Sequence, residues 1–159
     1  MDSNEFVERY REHLLAVSKF LARRVPTEAV EDLCSDVFEV AWRKKDSAPA
    51  GYELAWLYAI AGNLVANWRR RENTAKTWLH RFAVVSYEPS AEQLALADVS
   101  LAQAWSKLRP IDRRILALVV LDDLPVSQAA KTLGISSNAA AVRLNRARNA
   151  LAELLAVTD

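Results

Sequence analysis

Along most of the chain, apolar residues recur every three or four positions, and short interruptions break the rhythm. That spacing is the signature of amphipathic helices. It predicts a first helix over about residues 4–24, ending before Pro26. A second runs from Thr27, as N-cap, to about Lys44, with Glu28 and Glu31 in its first turn. Pro49 and Gly51 mark a loop over residues 46–51. A third helix follows from Tyr52 to about Arg71, or as far as His80. The pattern breaks around Pro89, resumes over residues 92–108, and continues in segments at 112–121, 126–133 and 137–157. Only 3 glycines and 5 prolines are present, too few for the many turns of a sheet protein. The expected fold class is all-α: two small helical domains, residues 1–82 and 101–159, joined by a flexible acidic linker at 83–100. Each domain is small enough that its core would be marginal alone.

The sharpest local pattern is VSQAAKTLGISSNAAAVRL at residues 126–144. It reads as a helix, a tight turn and a second helix. Ala130 is small where the two helices would cross, Gly134 can take the left-handed turn, and Ile135 plugs the angle between them. Ser136 would cap the second helix. On a wheel of about 100° per residue, Ala140, Leu144, Ala147, Leu151 and Leu155 share one face. Asn138, Val142, Asn145, Arg146 and Asn149 fall opposite, with Arg143 at the boundary and Ser137 at the helix start. Asn and Arg both make bidentate contacts, which suits base edges and phosphates. The competing reading is a plain αα-hairpin with a solvated face, although such a face more often carries Glu and Lys.

The third helix carries a second candidate surface. Leu57, Ala61, Leu64 and Trp68 form an expected core stripe. Trp56, Asn63, Asn67 and Arg70 cluster elsewhere, flanked by Ile60 and Arg71, and the helix runs into three successive arginines, Arg69 to Arg71. Rings stack on unpaired bases, amides read edges and arginines hold phosphates. Trp56 taken alone is better read as a core residue, and the arginines as a solvated helix end.

Charge sharpens this picture only when taken locally. The net charge is +1. Residues 82–106 hold three acids, Glu88, Glu92 and Asp98, and no base, whereas residues 107–159 hold 8 basic and 5 acidic side chains. The longest clear apolar run, residues 115–121, is far below the ~18 residues of a membrane span, so no membrane insertion is expected. The first ten residues are acidic and polar, unlike a signal peptide. One cysteine, Cys34, excludes an internal disulfide and fits a reducing cytoplasm. Cys34, His13 and His80 lack metal-ligand spacing, and neither a phosphate-cradling glycine loop nor a nucleophile elbow is present. No catalysis, metal or cofactor is expected.

The order and spacing of three segments resemble the bacterial RNA polymerase sigma factors of the extracytoplasmic-function type. DLCSDVFEVAW at 32–42 is similar to the family's helix for the clamp of core polymerase. AWLYAIAGNLVANWRRR at 55–71 resembles the helix that melts and reads the minus-ten element. Residues 108–148 resemble the domain that reads the minus-thirty-five element. The resemblance implies a promoter-specificity subunit whose partners are core RNA polymerase and promoter DNA, with an anti-sigma factor as a further candidate partner. It assigns Asp32, Asp36, Phe38, Glu39 and Trp42 to polymerase; Trp56, Asn63, Asn67, Arg70 and Arg71 to the minus-ten element; and Ser137, Asn138, Val142, Arg143, Asn145 and Arg146 to the minus-thirty-five element. Ser35 stands where the family commonly has Gln, and Gly62 where it commonly has Arg. Ala139, Ala140 and Ala141 replace a frequent Thr-Val-Lys, which shifts weight onto Arg143 and Arg146. Pro125 replaces a common capping Ser. Two other classes remain: a helix-turn-helix regulator with an N-terminal sensing or dimerisation domain, and an interaction module that sequesters polymerase or a sigma factor. A simple regulator would need only the C-terminal surface.

Overall fold

In a computed structural model the described residues are 1–76, 87–95 and 98–157, and they form helices and turns with no strand. The expected continuation of the third helix to His80 lies outside the described residues. The chain divides into two compact units, Met1–Tyr87 and Glu88–Asp159.

The first unit holds α1 (Ser3–Tyr10), α2 (Leu14–Ala22), α3 (Thr27–Arg43) and α4 (Glu53–Lys76). An Asp2–Glu5 capping box opens α1, each side chain satisfying the other residue's backbone N–H. The single helix expected over 4–24 is instead two, separated by a 3-10 turn at Arg11–His13. The apolar positions stay in phase across that turn, and neither glycine nor proline marks it, so the pattern alone reads through. The N-cap of α3 is Pro26 rather than Thr27; its extended backbone, with ψ 153°, starts the helix without a side-chain bond. Helices α2, α3 and α4 pack on one another around Val17, Phe20, Leu21, Leu33, Val37, Leu57 and Val65, all buried. The Phe20 and Tyr58 rings stack at 4.6 Å within that core.

The second unit holds α5 (Ala91–Ala95), α6 (Val99–Lys107), α7 (Pro110–Leu116), α8 (Val126–Leu133) and α9 (Ser137–Val157). Helix α7 runs on into a π-helical turn at Ala117–Leu121. Helix α9 packs on α6, α7 and α8 over Trp105, Ile115, Leu116, Leu118, Ala129 and Ala140.

The acidic linker expected over 83–100 needs correction. From Glu88 onward its described residues belong to the second unit. Ser90 and Gln93 cap α5 reciprocally, Ser90 N–H donating to Oε1 of Gln93 at 3.1 Å and Gln93 N–H to Oγ of Ser90 at 3.3 Å. Asp98 accepts from Leu101 N–H at 3.1 Å as the N-cap of α6. Glu88 is only 2% exposed and meets Nε of Arg113 at 3.2 Å. Arg113 also donates to the Leu108 carbonyl, and the Trp105 indole N–H donates to the Pro89 carbonyl at 2.8 Å. Two of the three acids therefore hold the fold together, as buried ion-pair partner and as helix cap. Their sequence signal, acidity without bases, is the same for a tether and for such a scaffold.

Candidate nucleic-acid interface

The C-terminal motif folds as its residue types dictate. Helix α8 ends at Leu133, and Gly134 takes the left-handed conformation at φ 69° that a Cβ would strain. The Ile135 N–H then bonds to the Ala130 carbonyl at 3.0 Å, and Ala130 itself is buried at the crossing. Oγ of Ser136 accepts from Ala139 N–H at 3.1 Å, capping α9. Along α9, Ala140, Leu144 and Ala147 are buried, while Leu151 and Leu155 are half-buried towards the end. Ser137, Asn138, Val142, Asn145, Arg146 and Asn149 are exposed, and Arg143 is half-buried at the edge. Neither Arg143 nor Arg146 makes an ion pair or hydrogen bond among the described residues, so both side chains are available to a ligand.

Beside this face lies a groove of about 460 Å³, lined by Arg109, Ile111, Asn138, Val142, Arg143 and Arg146, with Asp112 at its wall. Arg109 was not singled out from the sequence. It sits before the proline that starts α7, far from α9 in the chain, and no spacing rule links the two.

Helix α4 is built differently. Its buried arc runs through Leu57, Ala61, Val65, Tyr58 and Ala55. Leu64 and Trp68, expected in the core, are only half-buried. The centre of burial is displaced towards Tyr58 and Val65 because α2 and α3 both pack on this helix. Asn63, Asn67 and Arg70 lie opposite that arc and are exposed, as is Arg71. Nη1 of Arg70 donates to Oδ1 of Asn67 at 3.0 Å, so these two side chains are already oriented together. Arg69 points the other way, its Nη2 donating to the Arg24 carbonyl at 2.9 Å, and it ties α4 to the end of α2. The run of three arginines is thus divided between structure and surface.

Trp56 is half-buried, with its ring 6.4 Å from that of Tyr10. Tyr10 in turn lies against Phe6 at 4.6 Å with the rings tilted by 32°, and Phe6 meets Trp42 of α3 edge-on at 5.3 Å. Trp56 therefore has one side in an aromatic cluster and one side available. The Tyr10 hydroxyl in this cluster has no hydrogen-bond partner, and burial pushes its pKa up; Glu53 adds to that shift and Arg9 opposes it.

Gly62 is buried in the middle of α4 without a positive φ. A Cβ at this position would meet the Tyr87 ring at 3.1 Å, so the missing side chain makes room for the ring.

On α3, Asp32, Asp36 and Glu39 are exposed, and Phe38 and Trp42 are half-buried. Lys45 covers the Trp42 ring at 4.0 Å. A further groove of about 730 Å³ between α2 and α3 is floored by Leu14, Ala22, Val30, Cys34 and Phe38. Among the described residues no group of His, Cys, Asp and Glu could hold a metal ion, and no helix is long and apolar enough to cross a membrane.

Residues 98–151 match the family described as Sigma-70, region 4. The RNA polymerase sigma factor CnrH of Cupriavidus metallidurans is 30% identical over 145 residues, covering 82% of this chain and 75% of CnrH. The chain belongs to the RNA polymerase sigma factors of the extracytoplasmic-function type. The structure of CnrH in complex with the cytosolic domain of CnrY superimposes on this sigma factor with a TM-score of 0.65 at 26% identity, covering 99% of this chain and 92% of CnrH. The sigma factor RpoE of Bartonella quintana, solved with the anti-sigma factor NepR, shares the fold with a TM-score of 0.64 at 24% identity, over 98% of this chain and 99% of RpoE. The resemblance carried by the three sequence segments is thus a family relationship. Sigma factors are non-enzymatic transcription-initiation factors, and this one is a DNA-binding member with two helical units.

Proposed function

We propose that this sigma factor binds core RNA polymerase through the exposed acidic face of α3, reads the minus-thirty-five element with α9 and opens the minus-ten element with α4. The observation that carries the reading is the outer face of α9. From Ser137 to Asn149 it combines Asn138, Val142, Asn145 and Arg146 without an acidic residue, the first acid on that face being Glu153 near the helix end, and the helix is fixed by a glycine turn and a serine cap. Such a face offers bidentate donors and an apolar contact to the major groove. On α3, Asp32, Asp36 and Glu39 form no ion pair among the described residues, which suits a basic partner surface. On α4, the Asn67–Arg70 pair and the open side of Trp56 supply edge, phosphate and stacking contacts for displaced bases. An anti-sigma partner is expected, as for CnrH with CnrY, and the site of action is the cytoplasm where polymerase works.

The test is transcription from a promoter library with purified core polymerase. The sigma factor should co-elute with core and start transcripts at promoters sharing two spaced elements. Binding to DNA by the chain alone, with no co-elution and no initiation, would favour the plain helix-turn-helix regulator instead.

A further inference from the structure

Arg109 is the N-cap residue of α7, yet its side chain caps nothing. It reaches instead to Asp112, Nε donating to Oδ2 at 3.1 Å and Nη2 to Oδ1 at 3.3 Å. The two partners differ sharply in environment: the Asp112 side chain is 3% exposed and that of Arg109 is 70% exposed. The carboxylate is part of the interior, and the arginine stands over it at the surface. A guanidinium has five N–H donors in a rigid plane. The side-on pair with Asp112 uses two, and leaves both donors of Nη1 and one of Nη2 directed away from the carboxylate. That remaining edge has the geometry that binds phosphate oxygens two at a time. Arg109 lines the same groove as Arg143 and Arg146. The groove therefore gathers three guanidiniums against one carboxylate whose two oxygens are both engaged, and it adjoins the proposed reading face of α9.

We propose that Arg109 is a DNA-backbone contact of the second unit, pre-set by Asp112 at the rim of this groove, so that a phosphodiester is held between it and Arg143 and Arg146. The occupant is a nucleic-acid phosphate rather than a free anion, because the groove is open along the α9 face that would meet bases. Asp112 acts through Arg109 as a positioning residue: it immobilises a long side chain before DNA arrives, which reduces the ordering cost of the contact. The inference rests on the proposed role of α9 and extends the contact to a residue before α7.

The experiment is equilibrium binding of the full chain to short random-sequence duplexes across a range of salt. A phosphate contact contributes about 0.9 to the slope of log K against log salt whatever the sequence. Arg109→Gln should lower the slope by about that amount, equally on unrelated duplexes. Arg109→Lys keeps the charge and should restore the slope. Because Arg109→Gln strands a buried carboxylate, the double variant Arg109→Gln with Asp112→Asn is measured beside it and should show the same reduced slope. If both Gln variants keep the full slope while Arg143→Ala lowers it, the inference is overturned: Arg109 serves only Asp112, and the reading of α9 stands. If Arg143→Ala, Arg146→Ala and the Arg109 variants all bind as the parent does, the α9 face itself is misassigned and this inference falls with it.

Discussion

Helices α9 and α4, the two helices proposed to meet DNA, present differently made surfaces. Helix α9 borrows little from its own side chains for packing. Three small or medium residues, Ala140, Leu144 and Ala147, seat it on the rest of its unit, and the opposite face is left open. Helix α4 is packed on by both α2 and α3, and several of its side chains serve the fold. Trp56 leans on Tyr10, Arg69 binds the Arg24 carbonyl, and Gly62 receives the Tyr87 ring. The lesson is about separability. Where the supports of a reading helix lie elsewhere, binding and stability can be altered independently. Where a reading side chain also packs on the core, as Trp56 does, they cannot.

The strongest challenge to this contrast comes from a residue outside α9, on the helix that supports it. Arg113→Ala should leave the carboxylate of Glu88 buried and unpaired, at a cost of about 3 kcal/mol or more. Chemical denaturation should show the second unit losing stability, while any molecules still folded keep their DNA affinity. Loss of affinity in the folded fraction would show that α9 is not independent of its supports.

Trp56→Ala should cost the first unit about 2 kcal/mol, below the range for a fully buried tryptophan because one side of the ring is open. The same variant should slow open-complex formation more than it weakens the closed complex, and a premelted promoter should restore part of the rate. Asn63→Ala provides the cleaner reading, since Asn63 is exposed: it should slow opening without moving the melting temperature. An unchanged opening rate in both variants would remove α4 from strand separation.

On α9 the separation should be complete. Arg146→Ala should either relax preference at one base position, at ~1–3 kcal/mol, or lower the salt slope by about 1 for all sequences. Thermal melting should be unaffected in either case. A drop in melting temperature would mean that the outer face also packs.

The smallest effect is the most specific. Gly→Ala within a helix ordinarily stabilises by up to about 1 kcal/mol. Gly62→Ala should gain much less, because the new methyl meets the Tyr87 ring. Combined with Tyr87→Ala, the ordinary gain should reappear. A double-mutant cycle read by melting measures the difference, and equal gains in both backgrounds would show that the ring yields freely.

Sequence pattern made the second unit's motif legible because each residue there performs a local, rule-bound task. Gly134 takes a left-handed turn, Ser136 caps, and Ala140 with Leu144 faces inward at helical spacing. It also placed Asn63, Asn67 and Arg70 together. What it missed depends on contacts remote in sequence. The pairing of Glu88 with Arg113 turns an expected tether into scaffold. The bond from Arg69 to the Arg24 carbonyl removes one arginine from a run of three that looks uniform. Arg109 reaches the α9 groove only because α7 and α9 pack together. The 3-10 turn at Arg11–His13 has no signal at all, since the apolar phase is unchanged through it.

The seat of Tyr87 on Gly62 also orders the paths by which this sequence can drift. A side chain at 62 and a ring held at 87 compete for one volume. A lineage moving towards the arginine common in the family can lose the aromatic first and then fill the vacated space. The reverse order passes through an intermediate in which both claim it. Substitutions at these two distant positions should therefore be correlated among descendants, and the change at 87 should be the earlier of the two.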